Sequence, residues 1–192
     1  MALAHFITHP EVAIDAVVPI TEWPLSPRGV ARARLLAARP AMAELRAIVS
    51  SAERKAVETA AILADPLALT VPALESLGEN DRSATGYLPR TEFEATADLF
   101  FAHPGTSIRG WERAVDAQAR IVAAVEAALA QAAPGDVAIV AHGGVGALLL
   151  CHLTRAPISR AADQPGEGGG NLFTFDRATR ALLAGWRPIE EA

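Results

Sequence analysis

Apolar residues along the chain follow two alternating spacings, one typical of buried strands and one typical of helices. Short apolar runs predict strands at residues 2–8, 45–50, 67–71 and 136–141, of which 67–71 is the weakest. Apolar residues that recur every three or four positions predict helices at 27–39, 52–65, 91–103, 107–133 and 143–153. Two further runs, 168–176 and 181–186, predict a closing pair of strands that lie antiparallel at an edge. Strands alternating with helices predict an α/β fold with three α/β/α layers and a mostly parallel central sheet.

Polar residues at the predicted helix starts supply capping signals. Ser26 precedes a proline at the first helical position of the first helix, which favours a helix start there. The pairs Ser50 with Glu53 and Thr91 with Glu94 have the spacing of a capping box. We therefore expect these side chains to cap the second and third helices.

Composition and charge narrow the function classes. The 192-residue chain has a net charge of -5 and spreads its 17 basic side chains, arginines and one lysine, along its length, which argues against a nucleic-acid surface. Cys151, the single cysteine, lies in an apolar stretch, so we expect a buried core thiol, no disulfide and a reduced, cytoplasmic setting. No basic, apolar leader opens the sequence and no apolar run reaches about 18 residues, so we expect a soluble protein without membrane contact. The oligomeric state stays open, with a homodimer as one option.

Three chemically active segments follow predicted parallel strands. His9 ends the first strand, residues 50–55 follow the second, and His142 follows the strand at 136–141. Ligands of open parallel sheets bind beyond the carboxyl ends of the strands, so these segments are expected to meet in one crevice. Helix N-termini, two imidazoles, Arg54 and Lys55 would make that crevice suitable for an anion, most naturally phosphate.

Five motifs resemble those of one family when they are taken in order. "FITHPEV", "LSPRG", "SSAERKAVETA", "LGEND" and "IVAHGG" are similar to motifs of the histidine phosphatase superfamily, also called the phosphoglycerate mutase-like fold. The resemblance covers most of the chain. It implies that residues 1–192 form a single histidine phosphatase-like domain.

The resemblance also implies a mechanism. His9 would be the nucleophile that takes the phosphoryl group, His142 the second imidazole that stabilises it, and Glu79 the acid that protonates the leaving oxygen and then activates water. The implied activity is hydrolysis of a small phosphorylated metabolite without metal or other cofactor. A neutral imidazole is a competent nucleophile when its other nitrogen is oriented by a hydrogen bond.

The chain departs from the family pattern at several positions of the phosphate pocket. The family's Arg-His-Gly is Thr8, His9 and Pro10 here, so one guanidinium and one backbone N–H are missing. Lys55 stands where the family has its second pocket arginine, and a lysine loses the two-pronged geometry of a guanidinium. Asp15 stands where many relatives have an asparagine, and its charge would oppose a phosphate if it points inward.

Several residues are candidates for holding the substrate. We assign substrate binding to residues of the three crevice segments and of the polar loop that holds Glu79 and should overhang them: Thr8, Arg54, Lys55, Arg82 and Gly143. One of Arg54 and Lys55 is expected to face inward. Arg82, Arg109 and Arg113 could each replace the missing arginine, and an exposed or ion-paired surface position is the alternative for each.

Other readings stay open at this point. A noncatalytic anion-binding or regulatory protein would explain the lost pocket arginines, and a metal hydrolase would use the histidines with nearby carboxylates. Asp81 is a second choice for the acid. Ser50 and Ser51 are expected to cap rather than to attack, and the glycine cluster at 166–170 to be a flexible connection. The remaining histidines are expected to be structural: His5, His103 and His152.

Overall fold

A six-stranded sheet forms the centre of the computed structural model, which describes residues 1–192. The strand order is β3-β2-β4-β1-β5-β6. The bounds of the strands are Leu3–Thr8 for β1, Leu45–Ser51 for β2, Ala73–Leu74 for β3, Asp136–Ala141 for β4, Asn171–Asp176 for β5 and Leu182–Pro188 for β6. Strands β3, β2, β4 and β1 pair in parallel, whereas β5 and β6 continue the sheet antiparallel.

Helices cover both faces of this sheet. Their bounds are Pro27–Ala37 for α1, Pro40–Ala43 for α2, Arg54–Ala64 for α3, Arg90–Ala102 for α4, Ala114–Gln131 for α5 and Gly143–Leu153 for α6. Side chains of α5 and α6 pack on one face and those of α1 and α3 on the other. The α/β fold with a mostly parallel sheet and helices on both faces is therefore confirmed. None of these helices combines the length and apolarity needed to cross a bilayer.

Alternation along the central strands explains the two cores. Phe6 packs in the α5–α6 core and its neighbour Ile7 in the α1–α3 core, because successive side chains of a strand point to opposite faces. Ile139 and Val140 of β4 divide in the same way. All four side chains are fully buried, which is why these strands are apolar throughout. Cys151 is buried and free, as expected for a core thiol.

Most of the predicted elements are present, and two differ for local reasons. The predicted strand at 67–71 is wrong: Ala68 adopts a left-handed φ of 53°, and pairing with β2 begins only at β3. The helix predicted over 107–133 begins at Ala114 instead, because Arg109 and Gly110 both have positive φ values that end helical continuation.

The predicted caps had mixed outcomes. Ser26 caps α1 by accepting a hydrogen bond from the Gly29 N–H at 3.0 Å, as expected. Neither predicted capping box forms, because α3 and α4 begin without a side-chain cap. The carboxylate of Glu94 pairs with Arg160, and that of Glu53 turns into the sheet edge described below.

The register of β1 and β4 places the two motif histidines side by side. Thr8 pairs with Ala141 at the carboxyl ends of these neighbouring strands, so His9 and His142 are the next residues on each. The His9 N–H donates to the Ala141 carbonyl at 3.2 Å, which continues the pairing one step further. Strand β2 lies on the other side of β4, so residues 51–55 reach the same edge.

Candidate active site

The two histidine rings face each other at the carboxyl edge of the sheet. Their centroids are 5.2 Å apart, and the ring planes meet at 67°. His9 Nδ1 lies 2.8 Å from the Pro10 carbonyl oxygen, which can only accept a hydrogen bond, so Nδ1 carries the proton. Nε2 then carries the lone pair. The expected orienting hydrogen bond to the first imidazole is therefore present, and Pro10 itself supplies it.

His9 is a neutral base in this environment. Burial, followed by the nearby His142, lowers the pKa of His9 from 6.5 to about 3, although the Pro10 hydrogen bond acts in the opposite direction. At neutral pH the ring is therefore uncharged, with a free electron pair on Nε2. A neutral imidazole of this kind can act as a nucleophile.

His142 is held by residues that follow β2. Its Nε2 lies 2.8 Å from Ser51 Oγ and 3.4 Å from a Glu53 carboxylate oxygen. Burial lowers the pKa of His142, and the carboxylates of Glu53 and Glu79 oppose that shift only in part. The ring is fully buried, and its Nδ1 has no hydrogen-bond partner in the protein. Ser51 thus orients an imidazole as well as accepting the Glu53 N–H at 3.2 Å.

Glu79 lies across the first turn of α6. Its carboxylate accepts hydrogen bonds from the N–H groups of Gly144 at 3.0 Å and Val145 at 2.9 Å, and Arg82 Nη2 is 3.4 Å away. Burial alone would raise the pKa of Glu79, but Arg82, His142 and the backbone N–H groups outweigh burial and lower it. A helix N-terminus favours a negative group, so the carboxylate is ionised and well oriented.

Lys55 faces the crevice and already has a carboxylate partner. Its side chain is only 5% exposed, and its ammonium contacts a Glu53 oxygen and donates to the Ile20 carbonyl at 2.7 Å. Burial favours the neutral form of Glu53, yet His142 and Lys55 reverse this and lower the pKa of Glu53 to about 2. The second Glu53 oxygen accepts the Glu79 N–H at 2.9 Å and lies 3.4 Å from His142 Nε2, so this buried carboxylate links the loops of Glu79 and His142 to the start of α3.

Arg82 lies beside Glu79 and rests on two aromatic rings. Its guanidinium carbon is 5.2 Å from the Phe93 ring centroid and 5.5 Å from that of Trp111. A cation over an aromatic face is attracted by the ring quadrupole, which fixes the arginine without a further counter-ion. Arg82 is thus the one predicted replacement arginine that lies beside Glu79, the carboxylate predicted to be the acid.

Thr8 lies next to the site, but its hydroxyl is occupied. Thr8 Oγ1 donates to Gln164 Oε1 at 2.7 Å and accepts the Asn171 N–H at 2.9 Å. Gly143 is the first residue of α6, and a Cβ there would lie 2.2 Å from Gln164 Nε2. Gln164 therefore lies between the two predicted substrate-binding residues that flank the histidines.

Other predicted residues lie outside this crevice. Arg54, which was expected to bind substrate, is 52% exposed and pairs with Glu58 at 2.8 Å. Arg109 and Arg113 are exposed and pair with acidic neighbours on α4 and α5. Asp15 is also exposed and accepts the Val17 N–H, so its charge does not oppose an anion in the crevice.

The second-choice acid and the glycine cluster also differ from expectation. Asp81 is exposed and accepts the Ser83 N–H at 2.8 Å, away from the histidines. The segment predicted to be a flexible connection is held: Gly170 N–H donates to the His9 carbonyl at 2.9 Å, and Arg32 donates to the carbonyls of Gly169 and Gly170. This segment therefore helps to fix the backbone of the first histidine.

Sequence reasoning missed three contributors to the site. Ser51 and Glu53 lie inside the quoted motif, but the sequence predicts a capping role for each, for Glu53 because of its spacing from Ser50. Gln164 lies in an irregular loop 22 positions beyond His142 and has no local pattern that marks it. Only the packing of that loop on β1 and α6 reveals it. His, Cys, Asp and Glu side chains form no cluster of three or more that could hold a metal ion.

Solved structures with the same fold are numerous. Bacillus stearothermophilus YhfR is similar with a TM-score of 0.80 and 23% identity, covering 95% of this chain and 94% of that one. A mycobacterial glucosyl-3-phosphoglycerate phosphatase in complex with inorganic phosphate has a TM-score of 0.75 and 23% identity, and the match covers 97% of this chain and 95% of that one. The alpha-ribazole phosphatase from Shigella flexneri has a TM-score of 0.67 and 18% identity, and the match covers 95% of this chain and 94% of that one. At these identities the likeness establishes the fold.

Sequence comparisons identify the family. A search of curated proteins finds no significant match. The family model described as "Histidine phosphatase superfamily (branch 1)" matches residues 13–183, which is most of the chain. With the fold and the paired histidines in agreement, the chain belongs to the histidine phosphatase superfamily.

Proposed function

We propose that this protein is a metal-independent phosphatase that hydrolyses a small phosphorylated metabolite, a phosphoric monoester, through a phosphohistidine on His9. The observation that carries the proposal is the neutral His9 ring. Its Nδ1–H donates to the Pro10 carbonyl, and its ring centroid lies 5.2 Å from that of His142. Membership of the superfamily supports the proposal, as do the phosphatase names of two structural neighbours.

The first chemical step would transfer the phosphoryl group to His9. The Nε2 lone pair attacks phosphorus in line with the leaving oxygen, and the bond from phosphorus to that oxygen breaks as the new N–P bond forms. A protonated Glu79 gives its proton to the leaving oxygen. The negative charge of a bound phosphate would raise the pKa of Glu79 and favour the charged form of His142, so binding shifts both groups towards the state that the step needs.

The second step would release phosphate and restore the enzyme. The Glu79 carboxylate removes a proton from water, the water oxygen attacks phosphorus, and the N–P bond breaks with its electrons returning to Nε2. Glu79 is then protonated and His9 neutral, ready for another cycle. The Gly144 and Val145 N–H groups hold the carboxylate in place through both steps.

The charges of the site predict weak phosphate binding. Glu53 and Glu79 are ionised, Lys55 and Arg82 each face one of them, and both imidazoles are neutral. The formal charge of these groups is therefore zero before substrate binds. A dianion gains less from such a site than from one with unpaired arginines.

This charge balance is the observation that favours the second candidate, a noncatalytic anion-binding or regulatory protein. The two candidates differ in turnover. Release of phosphate from a panel of small phosphoesters should be measured for the wild type, His9→Gln and the control His103→Gln. The phosphatase proposal expects hydrolysis by the wild type and the control and none by His9→Gln. Phosphate binding without hydrolysis of any ester would favour the second candidate.

A further inference from the structure

We propose that Gln164 donates a hydrogen bond from Nε2 to the phosphoryl group bound between His9 and His142, in place of the guanidinium that is missing at position 8. The inference rests on the proposed function, because it names a further residue of the same site. It also explains how a pocket without a free arginine could still grip a phosphoryl oxygen.

The orientation of the Gln164 amide follows from its neighbours. The Pro165 carbonyl can only accept, so the Asn171 side chain must present its Nδ2 there, at 3.1 Å. The same Nδ2 lies 3.1 Å from Gln164, which must therefore present its oxygen, Oε1. Thr8 Oγ1 donates to that oxygen as well, at 2.7 Å. With Oε1 bound by two donors, Nε2 is the amide end that is left to face elsewhere.

That free end lies against the residue that follows His142. A Cβ on Gly143 would lie 2.2 Å from Gln164 Nε2, so the amide nitrogen lies directly against the first residue of α6. Gly143 follows His142, and Thr8, which binds the other end of the amide, precedes His9. Gln164 Nε2 makes no hydrogen bond to the protein, although the side chain is half-buried.

The helix end next to Gln164 has few other donors to offer. The N–H groups of Gly144 and Val145 are taken by Glu79, and Lys55 is occupied by Glu53. An unpaired amide N–H at this position therefore has an evident use as a donor to an anion. Because the amide is neutral, it adds this contact without the charge that an arginine would bring.

Gly143 provides a geometric test of the contact. A methyl group at position 143 would collide with the Gln164 amide and displace the amide. In Gln164→Ala the amide is absent, so the methyl group meets no such clash. If the amide binds phosphate, Gly143→Ala should weaken phosphate binding in the wild type and have little further effect in Gln164→Ala. The two substitutions are thus expected to be strongly non-additive.

Binding should be measured by calorimetric titration with inorganic phosphate and with orthovanadate. The proteins are the wild type, Gln164→Ala, Gln164→Glu, Gly143→Ala, the double variant and the control Gln118→Ala. Gln118 also donates from its amide, but to the Leu148 carbonyl away from the crevice. Gln164→Glu keeps an oxygen for Thr8 and Asn171 but replaces the donor with a negative charge, so it tests whether the loop still folds. Gln164→Ala, which removes the donor without adding charge, measures the loss of the hydrogen bond.

We expect the Gln164 variants to bind phosphate about 10- to 100-fold more weakly, as for loss of a hydrogen bond to a charged group, and Gln118→Ala to bind as the wild type does. Unchanged phosphate affinity in both Gln164 variants would overturn the inference and assign the side chain to holding the loop; the proposed phosphatase activity, measured by hydrolysis, would be unaffected. If the wild type neither bound phosphate nor hydrolysed any ester, the proposed function and this inference would both be wrong.

Discussion

Replacing Glu79 with glutamine should separate the chemical steps of the proposed reaction. Glutamine has the same shape but cannot give or take a proton at neutral pH. At the α6 N-terminus one of the Gly144 and Val145 N–H groups would face the new NH₂ group, so we also expect a stability loss of about 1–3 kcal/mol. Thermal unfolding of both proteins measures that loss, and kinetics are then compared well below the unfolding transition.

The size of the kinetic effect should depend on the leaving group. A general acid contributes about 10²- to 10⁴-fold, so kcat/KM for an alkyl phosphate should fall by that factor in Glu79→Gln. An ester of p-nitrophenol leaves as a stable phenolate and needs no proton, so its kcat/KM should change by less than about tenfold. Its kcat should still fall, because the second step needs Glu79 as a base, and a burst of p-nitrophenol should precede slow turnover.

The pH dependence follows from the lowered pKa of Glu79. In the free enzyme this carboxyl is ionised above about pH 4.5, so kcat/KM for an alkyl phosphate should rise as the pH falls from 8 to 5, by up to about tenfold per unit. His9 stays neutral over this range because its pKa is about 3. In Glu79→Gln, the ratio of kcat/KM for the alkyl phosphate to kcat/KM for the p-nitrophenyl ester should not rise as the pH falls.

A carboxyl control is available on the neighbouring loop. Burial raises the pKa of Asp163, which lies close enough to Glu79 for their charges to interact. Asp163→Asn should affect the two esters alike, through its hydrogen bond from the Gln164 N–H at 2.8 Å. An equal loss for both esters in Glu79→Gln, or a loss that depends on the leaving group in Asp163→Asn only, would refute the assignment of Glu79 as the acid.

Three further predictions concern the structure that supports the site. Lys55→Met should lower the free energy of unfolding by about 3–5 kcal/mol in urea titrations, because it leaves the buried Glu53 carboxylate without its cationic partner. Adding Glu53→Gln to this variant should recover part of the lost stability. If the effects of the two substitutions were fully additive, the pairing would be contradicted. Because the folded-state pKa of Glu53 is lowered from 4.5 to about 2, its contribution, on the order of 3 kcal/mol, is present above pH 4.5 and lost towards pH 2, so the stability difference from Glu53→Gln should shrink over that window; a constant difference would count against it. Gly169→Ala should lower the free energy of unfolding by at least about 1–3 kcal/mol and reduce activity, because φ is +73° there and the new Cβ would lie 2.2 Å from the His9 carbonyl oxygen. As a control, Gly105→Ala, where a Cβ meets nothing within 4 Å, should change neither stability nor activity.

Local patterns were sufficient for most of the fold. Apolar runs predict the central strands. The rule that ligands bind at the carboxyl ends of parallel strands predicts that His9 and His142 lie close together, and the register of β1 and β4 agrees with this. The errors arose where the backbone departs from regular structure. The left-handed residues Ala68 and Arg109 end or delay an element without changing its apolar pattern, so periodicity alone could not detect them.

The polar part of the site was less predictable because its partners are distant in the sequence. Glu53 has the spacing of a capping residue, yet its carboxylate contacts the Lys55 ammonium and lies 3.4 Å from His142 instead of forming a capping box with Ser50. The choice between Arg54 and Lys55 depended on helix orientation, which packing decides. Gln164 acquires a position in the site only through Asn171 and Thr8, contacts that no sequence motif encodes.

The most direct test of the account is to identify the residue that receives the phosphoryl group. The wild type and Glu79→Gln should be mixed with a hydrolysable phosphoester, quenched in alkali, which preserves phosphohistidine, and digested for mass spectrometry. The account predicts one added phosphoryl group on the peptide that contains His9, with more of it in Glu79→Gln and none in His9→Gln. A phosphoryl group on another residue, or full hydrolysis by His9→Gln, would contradict it.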